Sequence, residues 1–516
     1  MKKLLLTWGL LVLMLGILGA CGSEAPDDYP APTPYDYYED YHNDYYPDPA
    51  PTPEYVPGFD HYDVSITIDP GTRTVSGISR TTFSNRTGEP LGTIVIRVFF
   101  NAFNEGNAHY FSEFERSIFR HGHSYGYMDI QHVSMNNEDV EYNLESTVLT
   151  LYPDEPLSPG ETVQLVLQYN AYVPSIAHRT GANQQAMWFG MFLPVVAAQD
   201  DSGWIINDYY PAGDPFVLNM ASFEVEIITP ADYIVAGTGV ILDEIISEET
   251  DRRITVFTSS SARCFAFAVS PYFQRESITV EGVDVHLYYY TLDLPIDDIM
   301  EIIYASVGHM SNRVGAYPFD HIRVVETDMF LSGVSFSNIV FMNTATLRQP
   351  NSQALSRVLG QQWFSYVVGS NQVTESWLDK GLIRYITAEL FYLRPLDLRN
   401  YMAEEHALIY GRTDLFMTRS LGSFDSWMDY FHTHHIKSML MFNALHNQMG
   451  DRLFWELVRQ YFQTFYLQVA SGADFISLAE EIYGDSLQDF FRQWIRAGTV
   501  PPLPIRPEIE GEELIQ

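Results

Sequence analysis

The sequence predicts an α+β multidomain chain, with an N-terminal antiparallel β-sandwich followed by a mainly helical domain. Three observations carry that expectation. From Asp60 to about residue 275 the chain runs in short segments in which apolar and polar residues alternate. From Asp297 onward the apolar residues recur at helical spacing instead. The length is 516 residues, of which 46% are hydrophobic and 14% aromatic, which is more than one ordinary core organises and excludes general disorder.

Residues 1–21 read as a signal peptide: Lys2 and Lys3 precede a short apolar run from Leu4 to Ile17, too short for a comfortable membrane span. The run ends in Leu18-Gly19-Ala20-Cys21, which resembles a bacterial lipobox. That resemblance implies cleavage before Cys21 and a lipid on its sulfur, so the expected location is the cell envelope, outside the cytoplasm. No later apolar run approaches the length of a membrane span, so the lipid is the expected anchor. Residues 22–57 hold nine acids, nine prolines and eight tyrosines but no Lys or Arg. Such a stretch buries no core, and we read it as a disordered, extended stalk.

The β-rich region spans 58–275. Residues 62–68, 93–99, 162–167 and 223–228 alternate with period two and are bounded by Gly, Pro, Asn and Asp, as half-buried antiparallel strands are. Two histidines here, His121 and His123, have no further donors nearby and read as loop residues rather than a metal site. Cys264 lies in the apolar run 264–269 and reads as a small buried strand residue. With Cys21 in the processing signal, no intramolecular disulfide is expected.

The second domain spans 276–503 and is followed by a tail, 504–516. Residues 276–292 remain strand-like. Helices are then predicted over 297–314, 353–368, 376–393, 435–449, 451–467 and 474–496. The formal net charge of the chain is −37, from 29 basic and 66 acidic residues, so it repels nucleic acid and no nucleic-acid partner is expected.

Within these helices Gln362-Trp363-Phe364 is followed by Trp377-Leu378-Asp379-Lys380-Gly381. The two strings resemble the zinc-binding core of the membrane alanyl aminopeptidase family, a gluzincin group, which reads H-E-x-x-H-Q-W-F and then W-L-N-E-G. Residues 190–194, 210–216 and 228–239 resemble the family's β-domain. Gly450-Asp451, Phe454-Trp455 and the stretch 487–494 resemble its C-terminal helices. The resemblance covers about residues 58–503. It implies an N-terminal β-sandwich and a thermolysin-like peptidase domain.

It also implies where the chemistry would lie. Zinc requires two His at i and i+4 on one helix face, a Glu on the next helix and a Glu general base beside the first His. Aligned on Gln362-Trp363-Phe364, these positions hold Arg357, Gln361, Lys380 and Val358 respectively. Arginine offers a metal no lone pair, and valine accepts no proton. The family's amine-binding Glu falls on Ser335, in Ser332-Gly333-Val334-Ser335, and its transition-state Tyr falls on His435, two residues before Lys437.

The resulting expectation is a surface-anchored, non-hydrolytic pseudopeptidase with no cofactor. The zinc of the family is absent because its ligands are, and a peptide or protein is bound in the old cleft. The candidate binding residues are Ser335, Arg357, Gln361, Lys380 and His435. Two alternatives stay open. One is an active metallopeptidase with unusual ligands, drawing on His432, His434 and His435 with Asp379 or Glu375. The other is a scaffold lipoprotein that binds through its β-sandwich. Charge leaves a further choice: Arg357 and Lys380 make the cleft floor cationic and able to receive a carboxylate or phosphate, or they pair with acids such as Asp379 or Glu375.

Overall fold

A computed structural model of the chain describes residues 58–350 and 353–503. The signal peptide with Cys21, the acidic stalk and the tail lie outside the described residues. Among the described residues no helix is long and apolar enough to cross a membrane.

The N-terminal region is built on an eight-stranded sheet with two four-stranded sheets against it. Alternation works as the sequence implies. In the strand Asp60–Asp69, Tyr62, Val64, Ile66 and Ile68 are buried and the residues between them are less so. One pairing departs from expectation. Asp60–Asp69 lies antiparallel to Thr74–Ser84 on one side but parallel to Ala221–Pro230 on the other, with Val64 opposite Val225. The intervening chain adds strands to this sheet and to the smaller ones and returns in the same direction, as a parallel neighbour requires. Aromatic residues fill the space between the sheets. Phe189 stacks on Phe267 at 4.3 Å and meets Phe192 edge-on at 5.2 Å.

Cys264 is buried in the connection between the strands Arg252–Ala262 and Phe267–Ser270 rather than within either, and burial pushes its thiol up to about 11. His121 sits at the surface against Asp328, 3.1 Å away, and His123 faces Glu115 at 3.6 Å.

The second region opens with a five-stranded mixed sheet in which the strand Gly333–Phe336 forms an edge. Helices pack behind it: α1 (Ile296–Arg313), α2 (Gln353–Gly360), α3 (Trp377–Phe391), α4 (Pro395–Ile409), α5 (Ser438–Thr464) and α6 (Gly472–Tyr483). A second apolar core holds this region together, with Trp363, Leu382, Leu440 and Phe442 fully buried.

Helix α2 stops at Gly360 instead of running to residue 368. Beyond it Ser365 takes φ 130°, and Gly369 is hydrogen-bonded to residues 468 and 470. α5 joins the two helices expected over 435–467, with a break at Gly450 (φ 76°), a conformation that suits glycine. The helix expected over 474–496 ends at Tyr483, because Gly484 turns left-handed at its C-terminus. α3 and α5 approach closely at Gly381, where a Cβ would stand 2.4 Å from the Ser438 hydroxyl.

Candidate functional site

A cavity of about 600 Å³ opens between the β-rich region and the helices. Arg357 and Gln361 stand four residues apart and present their side chains to it from the C-terminal end of α2. Val358 contributes an apolar patch, Lys380 reaches in from the first turn of α3, and His435 borders the cavity from the segment before α5. Five of the six positions singled out in the sequence therefore meet in one place.

Ser335 does not, and its assignment as a binding residue is corrected. It is buried in the edge strand Gly333–Phe336, where its hydroxyl accepts a hydrogen bond from Gln362 Nε2 at 2.5 Å and its carbonyl accepts one from the Tyr366 hydroxyl. Its neighbours Gly333 and Val334 line the cavity; Ser335 does not.

Two further charged residues come from the β-rich region. Lys380 Nζ donates to Asp214 at 2.5 Å and lies 3.4 Å from Asp379. The lysine is only 4% exposed. Burial by itself would lower its pKa, but Asp214 and Asp379 outweigh burial and raise it, so the ammonium stays charged. Burial would likewise raise Asp214; Lys380 and Arg179 overcome this and hold its carboxyl below the usual carboxylate range. Arg179 is 3.8 Å from Asp214 and also donates to the carbonyls of Tyr210 and Pro211 and to the Tyr209 hydroxyl. Asp379 Oδ2 also accepts from Ser365 and Gln372, and its Oδ1 accepts from the backbone N–H of Lys380.

Of the two acids that the sequence offers Lys380 as partners, Asp379 makes the contact. Glu375 instead accepts from the backbone N–H of Gly472, 3.1 Å away. Asp214 and Arg179 carry no local motif that marks them as site residues in the sequence.

Arg357 is half-buried at the cavity floor, and among the described residues no carboxylate forms an ion pair with it. Burial, and then the like charge of Arg384, push its guanidinium down to about 10. Arg384 itself is paired with Glu405 at 3.2 Å and stacks over Phe431. His435 is held neutral by burial and by the cations Lys380, Arg384 and Arg357 around it, and its Nε2 is buried without a hydrogen-bond partner.

Solved structures share this fold. An M1 zinc metallopeptidase from Deinococcus radiodurans superposes with a TM-score of 0.66 at 19% identity, over 87% of this chain and 96% of its own. A two-domain M1 zinc metallopeptidase mutant bound to L-arginine gives 0.68 at 18% identity, with the same coverage. The fold is that of the two-domain M1 zinc metallopeptidases. Aminopeptidase O from Homo sapiens is 20% identical over 285 residues, 47% of this chain and 35% of that protein. Its Mus musculus counterpart is 20% identical over 228 residues, 36% and 28% respectively. The matched region thus spans about a third of these curated relatives. No family model matches the chain.

The residues that the resemblance places at the M1 zinc centre do not fit that ion. Arg357 has no lone pair to give, Val358 has no basic atom, and Gln361 is a weak ligand. Lys380 is kept protonated by two carboxylates. The alternative ligand set is corrected as well. Residues Phe431–Lys437 form a π-helical turn, so His432 and His435 do not share the face that α-helical i,i+3 spacing implies. His432 instead meets Arg412 at 3.1 Å, and His434 Nε2 is bonded to the Arg419 carbonyl at 3.0 Å. Among the described residues no group of three or more His, Cys, Asp or Glu is placed to hold a metal ion.

Proposed function

We propose that this M1-fold chain is a non-hydrolytic pseudopeptidase that holds a peptide, or a segment of a protein partner, in the cavity between its two regions and uses no zinc. The observation that carries the reading is the ion pair of Lys380 with Asp214 and Asp379. It keeps protonated the amine at the position where the resemblance expects the third zinc ligand, and an ammonium has no lone pair to give a metal. Without a bound metal of the M1 type, no water is activated at this point, and Val358 offers no general base. Solved neighbours of the same fold carry L-arginine or a Tyr-Ser-Ala substrate, which supports a peptide as the class of occupant. The proposed location is the outer side of a bacterial membrane, with lipid on Cys21 and the 22–57 stalk lifting the folded part away from the surface.

Metal content and turnover test the reading. The full chain, purified in detergent, is expected to hold far less than one metal per molecule by elemental analysis and to leave aminoacyl p-nitroanilides uncleaved with or without added zinc. Stoichiometric zinc together with chelator-sensitive cleavage would establish an enzyme with unusual ligands instead. The anchor is tested separately: Cys21→Ala is expected to abolish incorporation of labelled fatty acid and to release the chain from membranes. Unchanged labelling would remove Cys21 from that role.

A further inference from the structure

The cavity has a sign opposite to that of the chain. In a protein of formal net charge −37, three cations among the described residues line it, Arg179, Lys380 and Arg357, against one carboxylate, Asp214. The first two are already balanced, because Lys380 contacts both Asp214 and Asp379 and Arg179 lies against Asp214. Behind the floor Arg384 is balanced by Glu405. There remains the guanidinium of Arg357, which no carboxylate contacts among the described residues and which feels Glu405 only at longer range; it is half-buried and faces open volume, with the Gln361 amide one helical turn away. His435 stands at the same wall with a ring nitrogen that has no partner. A half-buried cation with no carboxylate in contact is left without a direct counter-ion, and a ligand anion supplies one.

The geometry points to Arg357 as the anchor of a monoanionic carboxylate carried on an apolar or aromatic body, so that the cavity takes a peptide by an acid group rather than by its amine. One free positive charge matches a carboxylate better than a dianionic phosphate, and the planar guanidinium fork suits carboxylate geometry. Phe114, Phe330, Trp427 and Phe431 supply an aromatic wall for the body of the ligand, in a volume usual for small-ligand sites. A free amine finds no open carboxylate among the described lining residues, because Asp214 is already held by Lys380 and Arg179. This inference rests on the reading of the cavity as a peptide-binding cleft.

Calorimetric titration of the full chain with three peptides tests it: N-acetyl-Ala-Ala-Phe as free acid, the same peptide as C-terminal amide, and N-acetyl-Ala-Glu-Phe amide. The acid is expected to bind roughly tenfold or more tighter than the first amide, the gain of one charge-assisted contact. The Glu-containing amide tells whether a side-chain carboxylate serves as well as a terminal one; either source satisfies Arg357. Arg357→Gln is expected to erase the acid–amide difference, Arg357→Lys to restore part of it, and salt to weaken only the acid. Inorganic phosphate is expected not to compete. Equal affinity of the acid and both amides, or displacement by phosphate, overturns the carboxylate assignment. The cleft reading survives that result if Ser332→Trp, which narrows the cavity at an exposed lining position, still abolishes binding. If no peptide binds the wild type, or Ser332→Trp changes nothing, the cleft reading falls and the carboxylate assignment with it.

Discussion

Asp214→Asn is expected to destabilise the chain by about 3 kcal/mol, the lower end of the range for removing one partner of a buried ion pair. The reason is asymmetry. Lys380 is already out of water, and the substitution leaves its ammonium with Asp379 alone, at 3.4 Å, while Asp379 is itself occupied by Ser365 and Gln372. Arg179 loses its carboxylate in the same step. Adding Lys380→Met to Asp214→Asn is expected to recover much of the loss, because an apolar side chain of similar length no longer needs a counter-ion. Denaturant unfolding of the two single variants and the double variant gives the coupling directly. The acid limb supplies a second readout. The carboxyl of Asp214 titrates below its ordinary value of 3.8 in the folded chain, so the stability it contributes is present above that value and is lost as pH falls through the lower folded one. The gap between wild type and Asp214→Asn should therefore be constant near neutrality and close in strong acid. A gap that persists there would mean that the asparagine acts through packing and not through charge.

The cluster that this variant tests shows where sequence reading stops. Arg357, Val358 and Gln361 are legible because a helix brings i and i+4 to one face whatever surrounds it, and Lys380 lies in a string that marks the next helix. Asp214 and Arg179 come from irregular segments of another region. Only the tertiary fold brings Asp214 to Lys380, 166 positions away, and nothing local in either segment encodes that contact. Ser335 misleads for a related reason. Its place in the string is legible, but in an edge strand adjacent residues point to opposite sides, and the serine faces Gln362 rather than the cavity.

The same division runs through the fold. Alternation in Asp60–Asp69 foretells which side chains are buried but is silent on strand direction, so the parallel pairing with Ala221–Pro230 is not legible where an antiparallel sandwich is expected. The spacing of Trp363, Phe364 and Val367 fits a helix, yet their backbone is taken up by a turn and by the bridge from Gly369 to residues 468 and 470. Burial forces apolar spacing in such a turn as readily as in a helix. Helix α4, begun by Pro395, has no counterpart among the expected helices. Its buried residues are few, Tyr401, Met402 and Ile409, and give a weak periodic signal.

Trp363→Ala is expected to have the larger effect, about 4 kcal/mol, in the range for removing a fully buried aromatic side chain. The indole is 0% exposed, its Nε1 donates to the Gly315 carbonyl at 2.8 Å, and its ring meets Tyr317 at 4.9 Å. Tyr317 in turn donates to Gln362 Oε1 at 3.0 Å, and that amide also accepts from the Asn338 backbone N–H and donates to Ser335. Removing the ring therefore opens a cavity beside a satisfied buried hydrogen-bond network, and the loss should appear in the denaturation midpoint with little change in its slope. Arg357→Gln is expected to shift that midpoint little in either direction, since among the described residues no ion pair holds the guanidinium and the substitution removes a buried like charge beside Arg384. The contrast separates two kinds of resemblance. Trp363, Phe364, Trp377 and Gly381 match the aminopeptidase strings because the packing of α3, α5 and the turn after α2 requires them. Arg357, Val358, Gln361 and Lys380 depart from those strings, and all four line the cavity. If Arg357→Gln instead unfolds the chain as readily as Trp363→Ala, the arginine is a part of the core, and the cavity loses the free charge on which carboxylate binding depends.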